Sequence, residues 1–532
     1  MPPPSSDQPI APRRVLGDGE FTSILQPHVK GLLELARYAV DREAEPVNRP
    51  FLNSVHARTN RAVEVLDSCG ARGNRKWFPF RVRLAALRNL AAASHEVLHV
   101  RQATPDYQLL EVEGDFIGDT GRAAQYFDSL IHCVLKRVLT EADAIGLPPA
   151  ATGTIHPGHF AENLAPGRLV WDREGQHAQS PGERIVSLAT KYLEVDAESR
   201  FLDAVLNGEG DWHGLIPEPL SEESIRGVMG SFHDLQSEYD TFVSDSEAEA
   251  LDTDLLVLRG HASLALHLLQ IGSTLTHFYE RHMVGNIESL FCCQDCMLYE
   301  DTFQWVLFEY CLGYARRFSQ AALPVAHRIL RHYAETAEIE IPVPRYRGFH
   351  VRPSTYVSQI IRHYGSEATM VLADTEYNPG SAFELFRANE GIQKAKREQI
   401  CEKVATEHAN RPLPSGTDPE TEIRRVLLGL AAERQIVIHE ALTFDKLPLA
   451  PDRPLFELVA DAVSYFLRTG RIDVQTDLTA IFRGDKRVLR DIQLLADADY
   501  GEDERGRNQP MPPELDYLKH TKVPQTQRDR DA

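Results

Sequence analysis

The segment Arg347-Gly-Phe-His-Val-Arg-Pro-Ser354 gathers residue types that together can handle a phosphoryl group. A neutral imidazole is a competent nucleophile near neutral pH, and His350 supplies one. Arg352 follows two residues later and can offer a charge-assisted fork to phosphate oxygens. Pro353 is tolerated in the first turn of a helix, where no N–H is needed. Gly348 permits a close backbone approach just before the histidine. A helix starting here would add unpaired N–H groups and the positive end of its dipole, which favour an anion.

Two further patterns could carry chemistry. His95-Glu-Val-Leu-His99 matches H-E-x-x-H, which on a helix puts His95 and His99 on one face as metal ligands, with Glu96 as general base. No third ligand is obvious, although Glu111 and Glu113 lie downstream. The blander reading is a helix that carries two histidines. Cys292-Cys-Gln-Asp-Cys296 contains one C-x-x-C, without a second to complete a zinc site, so buried thiols are the simpler reading. His261, His267, His277 and His282 fall along one helical pattern and read as polar positions in a bundle.

The elements that must position these residues change character along the chain. Residues 1–18 read as a disordered tail. From 19 to 336 the pattern is all-α, with amphipathic segments Phe21–Val40, Trp77–Gln102, Arg122–Ala144, Glu183–Leu206, Leu251–His282 and Asp301–Tyr333. Leu147–Gly182 reads as a long loop. After Ala337 the texture becomes mixed: a strand at Glu338–Pro344, a helix at Ser354–Tyr364, a short apolar strand at Ala368–Ala373, and a turn at Asn378-Pro-Gly380. A helix over Ser381–Ile392, a strand at Gln435–His439 and an amphipathic helix at Pro454–Leu467 follow.

Gly348-Phe-His-Val-Arg-Pro-Ser354 resembles the active-site motif of HPr, the histidine phosphocarrier of the phosphoenolpyruvate-dependent sugar phosphotransferase system. The family pattern is Gly-Leu-His-Ala-Arg-Pro-Ala. Ser381 lies 31 residues after His350, the spacing at which family members start their second helix with a serine that some bacteria phosphorylate. Ser381 is also a reasonable helix N-cap. The resemblance covers about a quarter of the chain, Glu338–Gly470. It implies an α/β open-faced sandwich, a phosphohistidine at His350 stabilised by Arg352, Ser381 as a regulatory site, and an enzyme I-like phosphoryl donor. It further implies a partner-docking face from Phe349, Ser354, Thr355, Phe383 and Phe386. The sequence departs from a compact HPr at Gln393–Arg434, which reads as a helical insertion, and in the bulk of Phe383 and Phe386.

With 532 residues, a net charge of -21, 42% hydrophobic and 25% charged residues, the chain is a multidomain globular protein. The acidic balance argues against nucleic acid and anionic membranes as partners. No run of about 18 uninterrupted apolar residues predicts a membrane span. The N-terminus lacks the apolar core of a signal peptide, so the expected location is cytoplasmic. Seven cysteines do not suggest a disulfide framework. No Walker A, G-x-G-x-x-G or G-x-S-x-G motif occurs, and no cofactor is expected.

The expected organisation is a tail (1–18), an all-α region (19–336), an HPr-like domain (337–470, with 393–434 inserted), a helical extension (471–499) and a second tail (500–532). The expected function is a phosphocarrier or phosphorelay protein whose helical region binds a protein target. Two alternatives stand beside it: a non-phosphorylated scaffold with a vestigial module, and a zinc-dependent hydrolase using His95, Glu96 and His99.

Overall fold

The computed structural model describes residues 14–43, 45–149, 153, 155–162, 180–207, 212–282, 300–408, 417–445, 447, 449–450, 453–503 and 506–519. The protein is mostly helical with a small antiparallel sheet. It divides into two compact units: 1–184 with 195–326, and 327–532 with 185–194.

The first unit is helical throughout its described residues. Its main helices are α1 (Asp18–Val40), α2 (Arg49–Ser68), α3 (Phe78–Ala103), α4 (Phe116–Ala144), the two ends of α5 (Pro181–Glu198; its residues 185–194 belong to the second unit), α6 (Phe201–Leu206), α7 (Glu222–Phe242), α8 (Glu247–Leu251) and α9 (Asp254–His282). Glu300–Gln304 (α10) continues through a π-helical stretch, Trp305–Gly313, into α11 (Tyr314–Ala321). Side-chain caps start several helices: Asn48 accepts from the Phe51 N–H, and Ser180 with Glu183 forms a capping box. α3 is central because Leu84, Leu87, Leu90, Ala91 and Val97 bury several of its faces against α2, α4 and α9. α9 is long and apolar enough over Asp254–Arg281 to cross a membrane by length and composition, but 72% of that window is buried inside the protein.

The second unit contains a four-stranded antiparallel sheet. After α12 (Leu323–Tyr333) come β1 (Thr336–Pro342), α13 (Val351–Tyr364), β2 (Ala368–Leu372), β3 (Thr375–Tyr377) and the long α14 (Ala382–His408). Then follow α15 (Pro419–Ala432), β4 (Ile436–Ile438), α16 (Leu455–Arg468), β5 (Ile472–Val474), β6 (Thr479–Asp485) and α17 (Lys486–Asp497). The sheet order is β1-β6-β2-β3, with Ile339 opposite Phe482 and Met370 opposite Phe482 on its other side. Alternation puts Ile341, Met370, Ala480 and Phe482 on one face, buried against Val357, Ile360, Leu385, Leu489 and Ile492 of the helices. The other face carries exposed pairs such as Glu338–Arg483. Pro342 ends an edge strand, where no ladder bond is lost. Gly484 (φ +154°) is needed where β6 meets β2, since a Cβ there would lie 2.8 Å from the Glu367 carbonyl oxygen.

Several boundaries differ from the sequence expectation. Gln435–His439 and Pro454–Leu467 do not complete the sheet. They belong to a second core inserted between α14 and β6, where Ile400, Val404, Leu427, Leu458 and Phe466 pack beside the β4–β5 ribbon. The sheet is closed instead by β6 and covered by α17, within the stretch expected to be a helical extension (471–499). Two strand–helix pairs in succession have the same apolar periodicity, so the pattern does not say which pairs with β1 and β2. Part of the expected tail 500–532 is also ordered. Tyr500, Leu515 and Leu518 are buried in the sheet's core, and the Tyr500 hydroxyl donates to the Pro342 carbonyl. Residues 520–532, and 1–13 of the other expected tail, lie outside the described residues; α1 begins at Asp18. The cysteines are not uniformly buried thiols: Cys69 is exposed, Cys311 is buried, Cys401 is intermediate, and Cys133 is disulfide-bonded.

Phe482 is fully buried in the sheet's core, whereas Arg483 faces outward. Phe482→Ala should lower the unfolding free energy of this unit by about 3–5 kcal/mol. Arg483→Ala, which removes only an exposed ion pair, should cost no more than about 1 kcal/mol. Urea unfolding of the two variants measures the difference.

Candidate functional site

The His350 loop is built by two successive left-handed residues, Arg347 (φ +55°) and Gly348 (φ +64°). Arginine tolerates this conformation poorly, and the surroundings hold it. The Arg347 N–H donates to Asp473 Oδ2 at 2.6 Å, its guanidinium donates to the Gly470 carbonyl at 3.0 Å, and Gln393 donates to its carbonyl at 3.3 Å. The other oxygen of Asp473 accepts from Lys396 Nζ at 2.7 Å, and Lys396 is fully buried. Gly348 is required twice over: by its φ, and because α14 comes so close that a Cβ would lie 2.1 Å from Asn389 Oδ1.

His350 is the N-cap residue of α13, and its side chain caps no backbone N–H. The first-turn donors of the helix are therefore open to an anion. Its Nδ1 lies 3.1 Å from the Gly348 carbonyl oxygen, and its Nε2 lies 3.3 Å from Glu502 Oε1. Arg352 donates to the other oxygen of the same carboxylate at 3.1 Å. Glu502 is only 3% exposed, whereas His350 is 25% and Arg352 32% exposed. The Tyr346 ring meets both His350 and His439 edge-on, with centroids 5.5 and 5.1 Å apart. A histidine and an arginine at a helix start thus converge on one buried anion.

The remaining candidates separate into two groups. Phe383 and Phe386 are exposed at 69% and 39%, as is Val351 beside His350 at 68%, and Thr355 is partly exposed with its hydroxyl donating to the Val351 carbonyl. Phe349 and Ser354, expected on a docking face, are instead fully buried. Phe349 points into the sheet's core, and the Ser354 hydroxyl donates to the Phe349 carbonyl at 2.9 Å. Ser354 lies on the buried face of α13, with Val357, Ser358 and Ile361. Ser381 precedes α14 and accepts from the Glu384 N–H at 3.5 Å, which is an N-cap geometry.

The H-E-x-x-H residues lie on α3 but do not converge on a common point. His95 Nδ1 lies 3.4 Å from Glu96 Oε1, while Glu96 Oε2 lies 3.1 Å from His267 Nδ1. His99 faces His267, with their Nε2 atoms 3.2 Å apart. Among the described residues no group of three His, Cys, Asp or Glu is arranged to hold a metal. Burial pushes the Glu96 carboxyl up, but the bonds from His267 and His95 outweigh it and hold it at about 2. Burial, with His267 alongside, pushes His99 down to about 4. Glu96 is thus engaged by histidines and is not poised as a base on water. His261 is a core residue, accepting from the Leu110 N–H and donating to the Phe318 carbonyl. His277 pairs with Glu222 at 2.7 Å. Cys292–Cys296 lies outside the described residues.

Glu502, Asp473 and Lys396 have no counterpart in the sequence reading. Glu502 falls in the polar stretch expected to be a tail, and only the spacing of Leu515 and Leu518 hints that this stretch returns to a core. No protein-family model, curated protein or solved structure matches this chain.

Two measurements probe these clusters. Lys396→Met leaves Asp473 buried without its cation and should cost about 3–5 kcal/mol in urea unfolding. His99 has a folded pKa of about 4 against 6.5 when unfolded. The stability it contributes is complete above the higher value and is lost as pH falls towards the lower one. Thermal melts across this window should show the helical unit weakening on acidification, and less steeply in His99→Gln. An unchanged slope in that variant would show that His99 is not the titrating group.

Proposed function

We propose that this chain is an HPr-like phosphoacceptor: His350 takes a phosphoryl group from an enzyme I-like donor, and Arg352 with the first turn of α13 holds it. The observation that carries this reading is the convergence of His350 Nε2 and Arg352 on a single carboxylate at an uncapped helix start. Two groups that already share one anion have the spacing to share a phosphoryl oxygen set. In the transfer, a ring nitrogen of His350 forms a bond to phosphorus as the donor's bond to phosphorus breaks, and the leaving electron pair stays with the donor.

The surrounding architecture supports the same reading. The four-stranded antiparallel sheet, with helices on one face and an exposed opposite face, supports the open-faced sandwich that the motif implies. Val351, Phe383 and Phe386 give the donor an exposed apolar surface on the same two helices. The inserted core and the helical unit fit a relay or regulatory protein better than a small diffusible carrier. A scaffold that takes no phosphate is the second reading. It is favoured by one observation, that Glu502 already occupies the anion position.

The test uses the full chain, phosphoenolpyruvate and enzyme I from the same source. Wild type should acquire acid-labile phosphate, His350→Ala none, and Arg352→Ala at least about ten-fold less per unit time, the loss expected for one charged contact to phosphate. Absence of label on wild type with its own donor sinks the phosphoacceptor reading and leaves the scaffold.

A further inference from the structure

The carboxylate of Glu502 is almost completely removed from water, although the His350 and Arg352 side chains beside it are partly exposed. A buried carboxylate is tolerated only when cations or donors replace its hydration. Among the described residues, Arg352 donates to its Oε2 at 3.1 Å, while His350 Nε2 lies 3.3 Å from its Oε1, a buried oxygen that accepts no hydrogen bond. These are the same two groups assigned to the phosphoryl group. Arg352 presents one guanidinium, and it cannot give its full fork to a carboxylate and to a phosphoryl group at once. A phosphoryl group carries up to two negative charges, so it competes for the guanidinium more strongly than a carboxylate does.

The backbone that delivers Glu502 is held away from its relaxed state. Asp499 (φ +47°), Tyr500 (φ +57°) and Gly501 (φ +75°) are three consecutive left-handed residues, two of them not glycine. Such backbone persists where the surroundings over-determine it. Here the anchor is Tyr500, buried in the sheet's core and bonded to the Pro342 carbonyl. Glu502 itself is tied by a bridge to Asn508, and its neighbour Gly501 accepts from the Gln509 N–H at 2.9 Å.

We infer that Glu502 is an internal anion that fills the phosphate-binding position between His350 and Arg352 and yields it when phosphate arrives. The inference rests on the reading of His350 and Arg352 as a phosphate site. Glu502 therefore sets the threshold for phosphorylation. Its expulsion also links the state of His350 to the turn at Asp499–Gly501, and the coupling acts equally in both directions.

Inorganic phosphate is the probe, titrated calorimetrically into the full chain. Glu502→Gln keeps the shape and removes the charge, so it should bind phosphate about ten-fold or more tighter than wild type. Adding Arg352→Ala to that variant should abolish the gain. Equal affinity of wild type and Glu502→Gln overturns the inference. A second measurement needs no variant: carbodiimide labelling of the Glu502 carboxyl in wild type should rise at saturating phosphate, and unchanged labelling overturns the inference as well. Phosphoramidate, a small phosphoryl donor, separates the two claims. If Glu502→Gln gains phosphate affinity but neither protein forms acid-labile phosphohistidine, the competition stands and the phosphoacceptor reading fails. If both proteins are labelled at the same rate with no gain in affinity, the competition fails and the phosphoacceptor reading stands.

Discussion

One carboxylate, Asp473, ties the inserted core to the loop that carries His350. One of its oxygens accepts the Arg347 N–H and the other accepts the buried Lys396 ammonium. That grip, together with the bonds from Arg347 to the Gly470 carbonyl and from Gln393 to Arg347, holds Arg347 in its left-handed conformation and so the turn that aims His350 across the start of α13. The buried ion pair contributes little net stability, because removing two charges from water costs about as much as their attraction returns. Its contribution is geometric: it joins the histidine loop to the insertion.

The long helix α14 explains how an insertion of this size is accommodated without breaking the sheet. Its first half presents Leu385, Ala388 and Ile392 to the sheet's core, and its second half presents Ile400 and Val404 to the inserted core. Lys396 sits between the two sets, fully buried, at the point where the helix passes from one core to the other. A single rigid rod therefore serves two hydrophobic clusters, and the chain returns from the second through β5 and Asp473 to β6. The insertion in this way buttresses the site rather than hanging from it as a loop.

In the helical unit, polar groups at the α3–α9 contact mostly pair with one another, while His99 Nδ1 is buried without a hydrogen-bond partner among the described residues. Glu96 bridges His95 and His267, and His267 in turn faces His99. Placed between two largely buried helices, such groups must satisfy their hydrogen bonds internally. The H-E-x-x-H spacing is accounted for by this network, and no metal is required to explain it. The buried Arg316, paired with Asp196 and Asp203, follows the same rule elsewhere in the unit.

What the sequence determined by itself is what depends on neighbours close along the chain. The amphipathic helices, the alternation in β1, and the glycine, histidine, arginine and proline of the His350 loop are all written within a few turns of chain. They can be read because periodicity reports which face of an element is apolar. It does not report what that face will meet. Tertiary structure alone decided that β6 and not β4 closes the sheet, that Phe349 and Ser354 turn inward, and that Tyr500, Leu515 and Leu518 return to the core. It also decided the partners of the site: Asp473 is 126 residues from Arg347, and Glu502 is 150 residues from Arg352. A carboxylate in a polar stretch carries no local mark of its future partner. Only when distant apolar side chains pack does the chain bring it out of water and against a cation.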